Sequence, residues 1–294
     1  MNAKLEARDP GIKRIGQAVV SRLRTGFRQL PLPGRHKHYR RFIIISSGRS
    51  GSTMLMERCH SHPRIACYGE LLHLYRVYWH RRWLPGGDWR TLDSRERDPA
   101  GFLLRNAWHY HPRKRGAVGF KLLYSQFLLR ERALRGLLAD QDIKIIHLER
   151  RNLVETYMSF IDVQRRGMNY SRDPSRIRKL EPTRIDPEHC LKKLKQLEIY
   201  RAIVEDYFRD HDRLQVYYED LLDRPEEGDR RICDFLGVER RRLSQRSVKL
   251  AKGSLADRIA NYEELKARLN GTPWEACLAS DPPRRETADA MSAA

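Results

Sequence analysis

Apolar residues along this chain follow two periodicities that alternate with each other. Short apolar runs are typical of buried strands, and longer segments repeat apolar residues every three or four positions, as amphipathic helices do. The predicted strands are 42–46, 118–124, 143–148 and 214–218, and the predicted helices are 53–61, 125–138, 152–166 and 188–209. Because strands and helices alternate, we expect an α/β fold with a central parallel sheet flanked by helices, in one domain over 41–275.

In the helix predicted over 188–209, apolar residues recur at the spacing of one helical face. This stripe predicts contact with the hydrophobic core rather than a functional surface. Its members are Leu191, Leu194, Leu197, Tyr200, Ile203 and Tyr207.

A small polar loop follows the first predicted strand and precedes a helix. Its glycines let backbone N–H groups turn inward, and a helix N-terminus adds unpaired N–H groups and about half a positive charge. This arrangement predicts a loop that binds phosphate or sulfate, whereas the alternative is a plain turn. The loop residues are Ser47, Gly48, Arg49, Ser50, Gly51, Ser52 and Thr53.

The loop is P-loop-like but differs from the loops that bind ATP. There a glycine opens the loop and a lysine precedes the final Ser or Thr, whereas Ser46 and Ser52 hold those places here. The cation, Arg49, lies inside the loop instead. The sequence therefore predicts an anion site of another class.

A second junction between strand and helix carries an arginine pair, Arg150 and Arg151, with Ser159 in the helix that follows. Taken alone, the pair could equally be an exposed surface feature. Together, however, the two junctions resemble those of the sulfotransferases that use 3′-phosphoadenosine-5′-phosphosulfate (PAPS). The first is similar to the family's 5′-phosphosulfate loop, and the second is similar to its 3′-phosphate motif.

The resemblance spans residues 42 to 270 and points to the bacterial carbohydrate and nodulation-factor branch. It implies a PAPS-dependent sulfotransferase with PAPS as donor, no metal, and a carbohydrate or glycolipid acceptor. It also implies that Arg150 and Ser159 bind the donor's 3′-phosphate at the nine-residue spacing of that branch. Arg151 stays the alternative, because it gives the eight-residue spacing of the cytosolic branch.

The segment 69–73 is similar to the part of bacterial sulfotransferases that carries an acceptor-side glutamate. The resemblance implies that Glu70 takes the acceptor proton, while Arg49 stabilises negative charge on the bridging oxygen of the donor. His73 is the second candidate base, because one helical turn would bring it near Glu70. We expect burial beside Leu71 and Leu72 to raise the pKa of Glu70. A lone glutamate with a structural role is the alternative.

Four tryptophans, Trp79, Trp83, Trp89 and Trp108, lie in the aperiodic stretch 75–115. Aromatic faces with polar tips stack well on sugar rings, so we interpret this stretch as an insertion that binds the acceptor. Packing beneath a long loop is an equal alternative. The stretch 167–187, rich in Arg, Pro and Ser, is a second candidate segment, which could cover the site as a lid.

The net charge of +20 favours polyanionic partners. Residues 1–41 hold eleven Lys or Arg against two Asp or Glu, and apolar residues at helical spacing predict a basic amphipathic helix there. We expect residues 1–40 to be a basic arm and linker that lies either on an anionic membrane surface or packed on the domain. No nucleic-acid partner is expected, because no base-reading motif occurs.

The cysteines and histidines predict no metal site. Five widely spaced cysteines lack ligand spacing and are expected to be reduced and buried, while the histidine-rich patches 35–38 and 109–111 are expected to be solvated. No apolar run approaches the roughly 20 residues that cross a bilayer, and the charged N-terminal segment does not read as a signal peptide. We therefore expect a cytoplasmic protein that can lie on the inner membrane, with a disordered tail over 276–294.

Two other classes of function remain open. A kinase-like P-loop nucleotide enzyme would need acidic metal ligands at a strand end, and none follows Ile146 in the Walker-B manner. A non-catalytic basic protein that binds polyanions would explain the charge but not two phosphate motifs. Turnover of ATP with Mg²⁺ would favour the first class, and polyanion binding that survives loss of the Arg49 side chain would favour the second.

Overall fold

The computed structural model describes residues 29–75, 77, 89–248, 251 and 253–278. The strands are β1 (Arg35–His36), β2 (Arg40–Ser46), β3 (Ile65–Glu70), β4 (His111–Pro112), β5 (Ala117–Leu123), β6 (Lys144–Glu149) and β7 (Arg213–Tyr217). The helices are α1 (Ser52–Ser61), α2 (Trp89–Arg97), α3 (Pro99–Asn106), α4 (Tyr124–Leu138), α5 (Leu153–Arg166), α6 (Pro187–Tyr207), α7 (Tyr218–Asp223), α8 (Pro225–Phe235), α9 (Leu255–Arg258) and α10 (Tyr262–Leu269), with short 3-10 turns at Pro174–Arg176 and Glu275–Leu278. The eight elements predicted from apolar periodicity are present, and their ends differ by at most two residues.

Five parallel strands form the central sheet in the order β3-β5-β2-β6-β7. The predicted α/β fold class is therefore confirmed. Sequence reasoning did not identify β3 as a strand, although its last residue is Glu70. Because the strands are parallel, the residues that follow β2, β3, β5 and β6 all meet at one carboxyl edge, where open α/β folds bind ligands.

Apolar side chains of β2 alternate between the two faces of the sheet. Ile43 and Ile45 belong to one buried cluster, which α4 and the C-terminal half of α6 cover. Phe42 and Ile44 belong to the other cluster, which α1, α7 and α8 cover. Both faces are therefore buried, which is why the strand reads as a continuous apolar run.

The antiparallel ribbon of β1 and β4 lies beside the main sheet. Residues 29–39, predicted as part of the linker, contact the domain through Tyr39, whose hydroxyl donates to the His109 carbonyl at 2.7 Å. His109 and His111 are buried and their rings stack at 4.2 Å. The prediction that 109–111 is solvated was wrong, because the ribbon and Tyr39 cover these rings.

The apolar stripe of α6 is only partly a core stripe. Leu191 and Leu194 are buried as predicted, whereas Ile203 is 45% exposed, so the prediction was wrong for Ile203. In the C-terminal half of the helix, Arg201 and Glu205 lie near the polar end of β6 instead. The five cysteines are buried and form no disulfide bond, as predicted. Within the described residues, no helix combines the length and the apolar character that crossing a membrane requires.

Candidate active site

The phosphate loop connects β2 to α1 at the centre of the carboxyl edge. Ser46, at the end of β2, pairs with the last residue of β5 and with Leu148 of β6. Ser50 is fully buried and its hydroxyl donates to the Ser47 carbonyl at 2.9 Å, which closes the turn. Arg49 has a φ of 65° and Gly51 a φ of 90°, the left-handed conformation that turns backbone N–H groups into an anion-binding concavity.

The N-terminus of α1 is open to a ligand. Gly51 caps the helix, and among the described residues no side chain accepts from the first N–H groups and no acid lies in the first turn. A Cβ on Gly51 would lie 2.3 Å from the Tyr218 ring, so the close approach of that ring requires glycine as well. The Ser46 hydroxyl is buried and finds no partner in the described part of the chain. These unpaired groups fit an anionic ligand such as the 5′ end of PAPS.

Arg49 contacts the second predicted phosphate motif. Its Nε donates to the Ser159 hydroxyl at 3.0 Å, and its Nη1 donates to the Asn169 carbonyl at 2.8 Å. Burial and the nearby charge of Arg150 lower the pKa of Arg49. Two guanidinium groups that repel each other in a half-buried site would be stabilised by a polyanion between them.

The side chains of Arg150 and Arg151 contact different residues. The Arg150 guanidinium lies over the Tyr218 ring, 4.9 Å from its centroid, and forms an ion pair with Glu155 at 3.2 Å. Its buried Nε has no hydrogen-bond partner within the described ranges. Arg151 instead forms a two-pronged pair with Asp220 at 2.8 and 2.9 Å. The buried Nε of Arg151 has no partner among the described residues either, so this feature does not separate the two arginines. The charge of Arg150, however, acts on Arg49 and lowers its pKa, which favours Arg150 over Arg151 for the 3′-phosphate.

Glu70 is paired on both carboxylate oxygens. Lys121 Nζ lies 2.9 Å from Oε1, and Gln126 Nε2 donates to Oε2 at 2.6 Å. Burial raises the pKa of Glu70, but the charge and hydrogen bond of Lys121 together with the Gln126 hydrogen bond outweigh it, so the pKa is lowered. The expected increase was wrong, because a buried ammonium group faces this carboxylate.

The prediction placed His73 one helical turn from Glu70, but His73 does not lie on a helix. Residues 71–75 form turns after β3. The Nδ1 of His73 accepts from the Tyr75 backbone N–H at 3.2 Å, and Arg95 donates to the His73 carbonyl. A positive charge on His73 is the smallest of the effects that lower the pKa of Glu70, after those of Lys121 and Gln126.

Sequence reasoning missed three residues of the site. Lys121 was assigned only to a central strand, yet its Nζ donates to the Thr53 hydroxyl at 3.0 Å as well as binding Glu70. A lysine inside an apolar strand was the available signal, because a buried charge needs a partner. Gln126 and Tyr218 gave no such signal, since their roles depend on contacts across the fold.

The strand β6, which lies beside β2 and its phosphate loop, ends in an acidic residue, Glu149. The side chain of Glu149, however, shares a face of the sheet with His147 and Ile145, whereas α1 packs on the other face. Gln215 donates to one Glu149 oxygen at 2.9 Å, and Arg201 lies 3.3 Å from the other. Glu149 is therefore not directed at the phosphate loop as a metal ligand of the ATP-binding type would be.

The proposed acceptor insertion is only partly described. Trp108 is 3% exposed, its Nε1 donates to the Val118 carbonyl at 3.1 Å, and its ring packs 5.3 Å from that of Phe120. Its predicted role in sugar stacking was wrong, because the indole lies in the core. Trp79, Trp83 and the side chain of Trp89 lie outside the described residues, as does the basic amphipathic segment before residue 29.

Comparison with known proteins identifies similar chains. A family model described as Stf0 sulphotransferase matches residues 41–263, which include the phosphate loop, Glu70, Arg150 and Ser159. A protein of Rhizobium meliloti named Nodulation protein H is 28% identical over 243 residues, covering 80% of this chain and 93% of its own. The protein of the same name from Rhizobium tropici is 29% identical over 240 residues, covering 79% and 90%.

Two solved structures are also similar. A sulfotransferase from Alicyclobacillus acidocaldarius has a TM-score of 0.46 and 19% identity, covering 85% of this chain and 95% of that chain. The mouse sulfotransferase SULT7A1, complexed with PAP, has a TM-score of 0.42 and 15% identity, covering 81% and 86%.

Proposed function

Because the chain belongs to the Stf0 sulphotransferase family, and is thus a sulfotransferase, we propose that it transfers a sulfuryl group from PAPS to a hydroxyl of a carbohydrate or glycolipid. The observation that carries this proposal is the contact between Arg49 and Ser159. These residues are 110 positions apart, and their 3.0 Å hydrogen bond joins the loop junction to the arginine junction. A donor with phosphate at both ends needs two such sites side by side.

In this proposal the phosphate loop binds the 5′ end of the donor. When bound, PAPS supplies an activated sulfuryl group and leaves as adenosine 3′,5′-bisphosphate. We expect the first N–H groups of α1 and the hydroxyls of Ser52 and Thr53 to bind the 5′-phosphate. Ser50 would contribute its backbone N–H, because its hydroxyl donates to the Ser47 carbonyl. Arg49 would stabilise the negative charge that grows on the bridging oxygen. A sulfuryl group carries less charge than a phosphoryl group, so these donors suffice without Mg²⁺.

The junction between β6 and α5 binds the 3′-phosphate of the donor in this proposal. Arg150, at the end of β6, and Ser159, on α5, lie on the side of the loop that Arg49 contacts. An arginine binds phosphate through charge-assisted hydrogen bonds, and a serine adds a neutral one. The repulsion between Arg49 and Arg150 is relieved when a bisphosphate lies between them.

Glu70 acts as the general base that takes the proton of the acceptor hydroxyl. Its lowered pKa keeps the carboxylate ionised at neutral pH, which is the form that accepts a proton. Lys121 joins this carboxylate to Thr53 of the loop helix, so the base and the donor site are held in one geometry. Because such a weak base takes a hydroxyl proton only as the oxygen loses electron density to sulfur, proton and sulfuryl transfer should be concerted.

The carbohydrate acceptor is supported by relatives and by motifs. Both rhizobial relatives bear the name Nodulation protein H. The motifs of this chain resemble those of the bacterial carbohydrate and nodulation-factor branch. We infer a carbohydrate or glycolipid acceptor, and a cytoplasmic site of action where PAPS is available.

The test is a search for a sulfated product. The protein is incubated with PAPS and a cell glycan extract, and mass spectrometry identifies products heavier by one SO₃ group. A parallel incubation with ATP and Mg²⁺ tests the kinase-like alternative. We expect SO₃ addition that persists in EDTA. Phosphate addition, or a strict need for a divalent ion, would contradict the proposal.

A further inference from the structure

A second polar cluster lies on the sheet face opposite the phosphate-loop helix. It comprises His147 and Glu149 of β6 and Glu205 of α6. Side chains of a strand alternate between faces, so His147 and Glu149 lie on the same side as Ile145, while α1 covers the other side. The sulfuryl-transfer site described above uses none of these three side chains.

The three side chains converge on one point. The Nδ1 of His147 lies 3.6 Å from Glu149 Oε1 and 4.0 Å from Glu205 Oε1. All three ligand atoms lie within 4.8 Å of one another. The His147 side chain is 1% exposed, yet its Nδ1 has no hydrogen-bond partner anywhere in the described structure. A buried polar atom without a partner is costly, so this nitrogen indicates a ligand.

The groups around the cluster orient it. The Tyr124 hydroxyl contacts the other ring nitrogen of His147 at 2.5 Å. Gln215 Nε2 donates to Glu149 Oε1 at 2.9 Å. Hydrogen bonds of this kind to an imidazole and to a carboxylate fix both groups in metal sites.

The charges of the cluster suit a cation. Arg201 lies 3.3 Å from Glu149 and also pairs with Glu198. With Glu205, three carboxylates face the guanidinium groups of Arg201 and Arg213, which leaves one negative charge in excess. The Glu205 side chain is 40% exposed, which leaves a path from solvent.

We propose that His147, Glu149 and Glu205 bind a divalent transition metal ion that links β6 to α6. One imidazole nitrogen and two carboxylate oxygens match zinc with a water molecule as fourth ligand. Mg²⁺ fits less well, because it prefers oxygen ligands alone. The separations of 3.6 and 4.0 Å between His147 Nδ1 and the two carboxylate oxygens are close to the roughly 3.4 Å between ligands of a tetrahedral ion at metal–ligand distances of about 2.0–2.2 Å.

The test uses Co²⁺ as a visible probe for a zinc site. Full-length protein is stripped with EDTA, dialysed and titrated with Co²⁺, and the absorption of tetrahedral cobalt is recorded before and after Zn²⁺ is added. We expect saturation at about one ion per chain and displacement by zinc. Glu205→Gln should weaken Co²⁺ binding by roughly tenfold or more.

Asp206→Asn is the matched control, because it makes the same charge change at the next position of the helix, where the side chain pairs with Arg209 at the surface. It should bind Co²⁺ as the wild type does. Glu149→Gln, which keeps the size of the side chain, gives a second ligand variant. Wild-type binding in both ligand variants, or no cobalt absorption by the unaltered protein, would overturn the proposal.

Discussion

Lys121 Nζ lies 2.9 Å from Glu70 Oε1, and this buried ion pair joins neighbouring strands β5 and β3 at the carboxyl edge. The same ammonium group binds Thr53 at the start of α1. Removing one partner of a buried pair leaves the other charge uncompensated. The pair therefore sets the protonation of the proposed base as well as its position.

We expect Lys121→Met to move the acid limb of kcat/KM to higher pH. In the wild type Lys121 holds the pKa of Glu70 below its ordinary value against the opposing effect of burial. An activity that needs the carboxylate is present above that pKa and is lost as pH falls through it. Without Lys121, burial dominates and raises the pKa, so activity is lost at a higher pH.

The measurement is a kcat/KM profile for each variant, with circular dichroism to exclude unfolding. Lys144→Met is the control, because Lys144 also lies in a parallel strand but pairs with the exposed Asp212. An acid limb at the same pH in wild type and Lys121→Met would show that Glu70 does not limit the rate there.

Glu70→Gln should lower turnover by roughly 10²–10⁴, the usual contribution of a general base. The amide keeps the shape of the side chain, and the hydrogen-bond and ion-pair partners of Glu70 are Lys121 and Gln126 rather than residues of either phosphate junction, so affinity for adenosine 3′,5′-bisphosphate should be retained. Turnover is measured with saturating PAPS, and affinity by calorimetry. The control is Glu131→Gln, which makes the same change in a surface ion pair with Arg135. Near-normal turnover of Glu70→Gln would assign the role of general base to His73 or to another residue.

Arg49→Ala should lower turnover about a hundredfold or more, as loss of a transition-state donor does. Arg49→Lys should recover only part of this loss, because one ammonium group cannot reproduce the fork that binds Ser159 and Asn169. Single-turnover rates separate chemistry from donor binding. Equal rates for Arg49→Ala and an exposed-site control, Arg209→Ala, would remove Arg49 from the mechanism.

The eight predicted strands and helices were found because apolar periodicity depends on residues close in the chain, whereas β3 was not predicted. Glu70 and Lys121 are 51 positions apart, and their pairing depends on the strand order β3-β5-β2, which apolar periodicity does not specify. For the same reason, the direction of the Glu70 pKa was predicted wrongly. Trp108 was misassigned because composition alone does not distinguish an aromatic residue in the core from one at a sugar site.

Trp108→Ala should destabilise the fold by about 3–5 kcal/mol, the usual cost of removing a buried aromatic side chain. The indole packs on Phe120, and its N–H satisfies the Val118 carbonyl. Urea unfolding gives the free-energy change, and Trp108→Phe, which refills most of the cavity, should recover part of it. A stable variant with a raised KM for the acceptor would restore the original interpretation of Trp108 as a sugar-stacking residue.

Arg150→Ala should selectively weaken adenosine 3′,5′-bisphosphate. A charged hydrogen bond contributes about 1.5–3 kcal/mol and a neutral one about 0.5–1.5 kcal/mol. We therefore expect a loss of roughly tenfold to a hundredfold for Arg150→Ala and a smaller loss for Ser159→Ala. Adenosine 5′-phosphate lacks the 3′ group, so both variants should bind it almost as the wild type does.

The structure supplies the control for this experiment. Glu155, the ion-pair partner of Arg150, also binds Arg258 through both oxygens at 2.9 Å, so Arg150→Ala does not leave Glu155 uncompensated. Arg151→Ala removes the neighbouring guanidinium group, which pairs with Asp220. Dissociation constants for both nucleotides decide the outcome. Equal losses for the two nucleotides would show that Arg150 acts through the fold or the general field, and a selective loss in Arg151→Ala would assign the 3′-phosphate to Arg151.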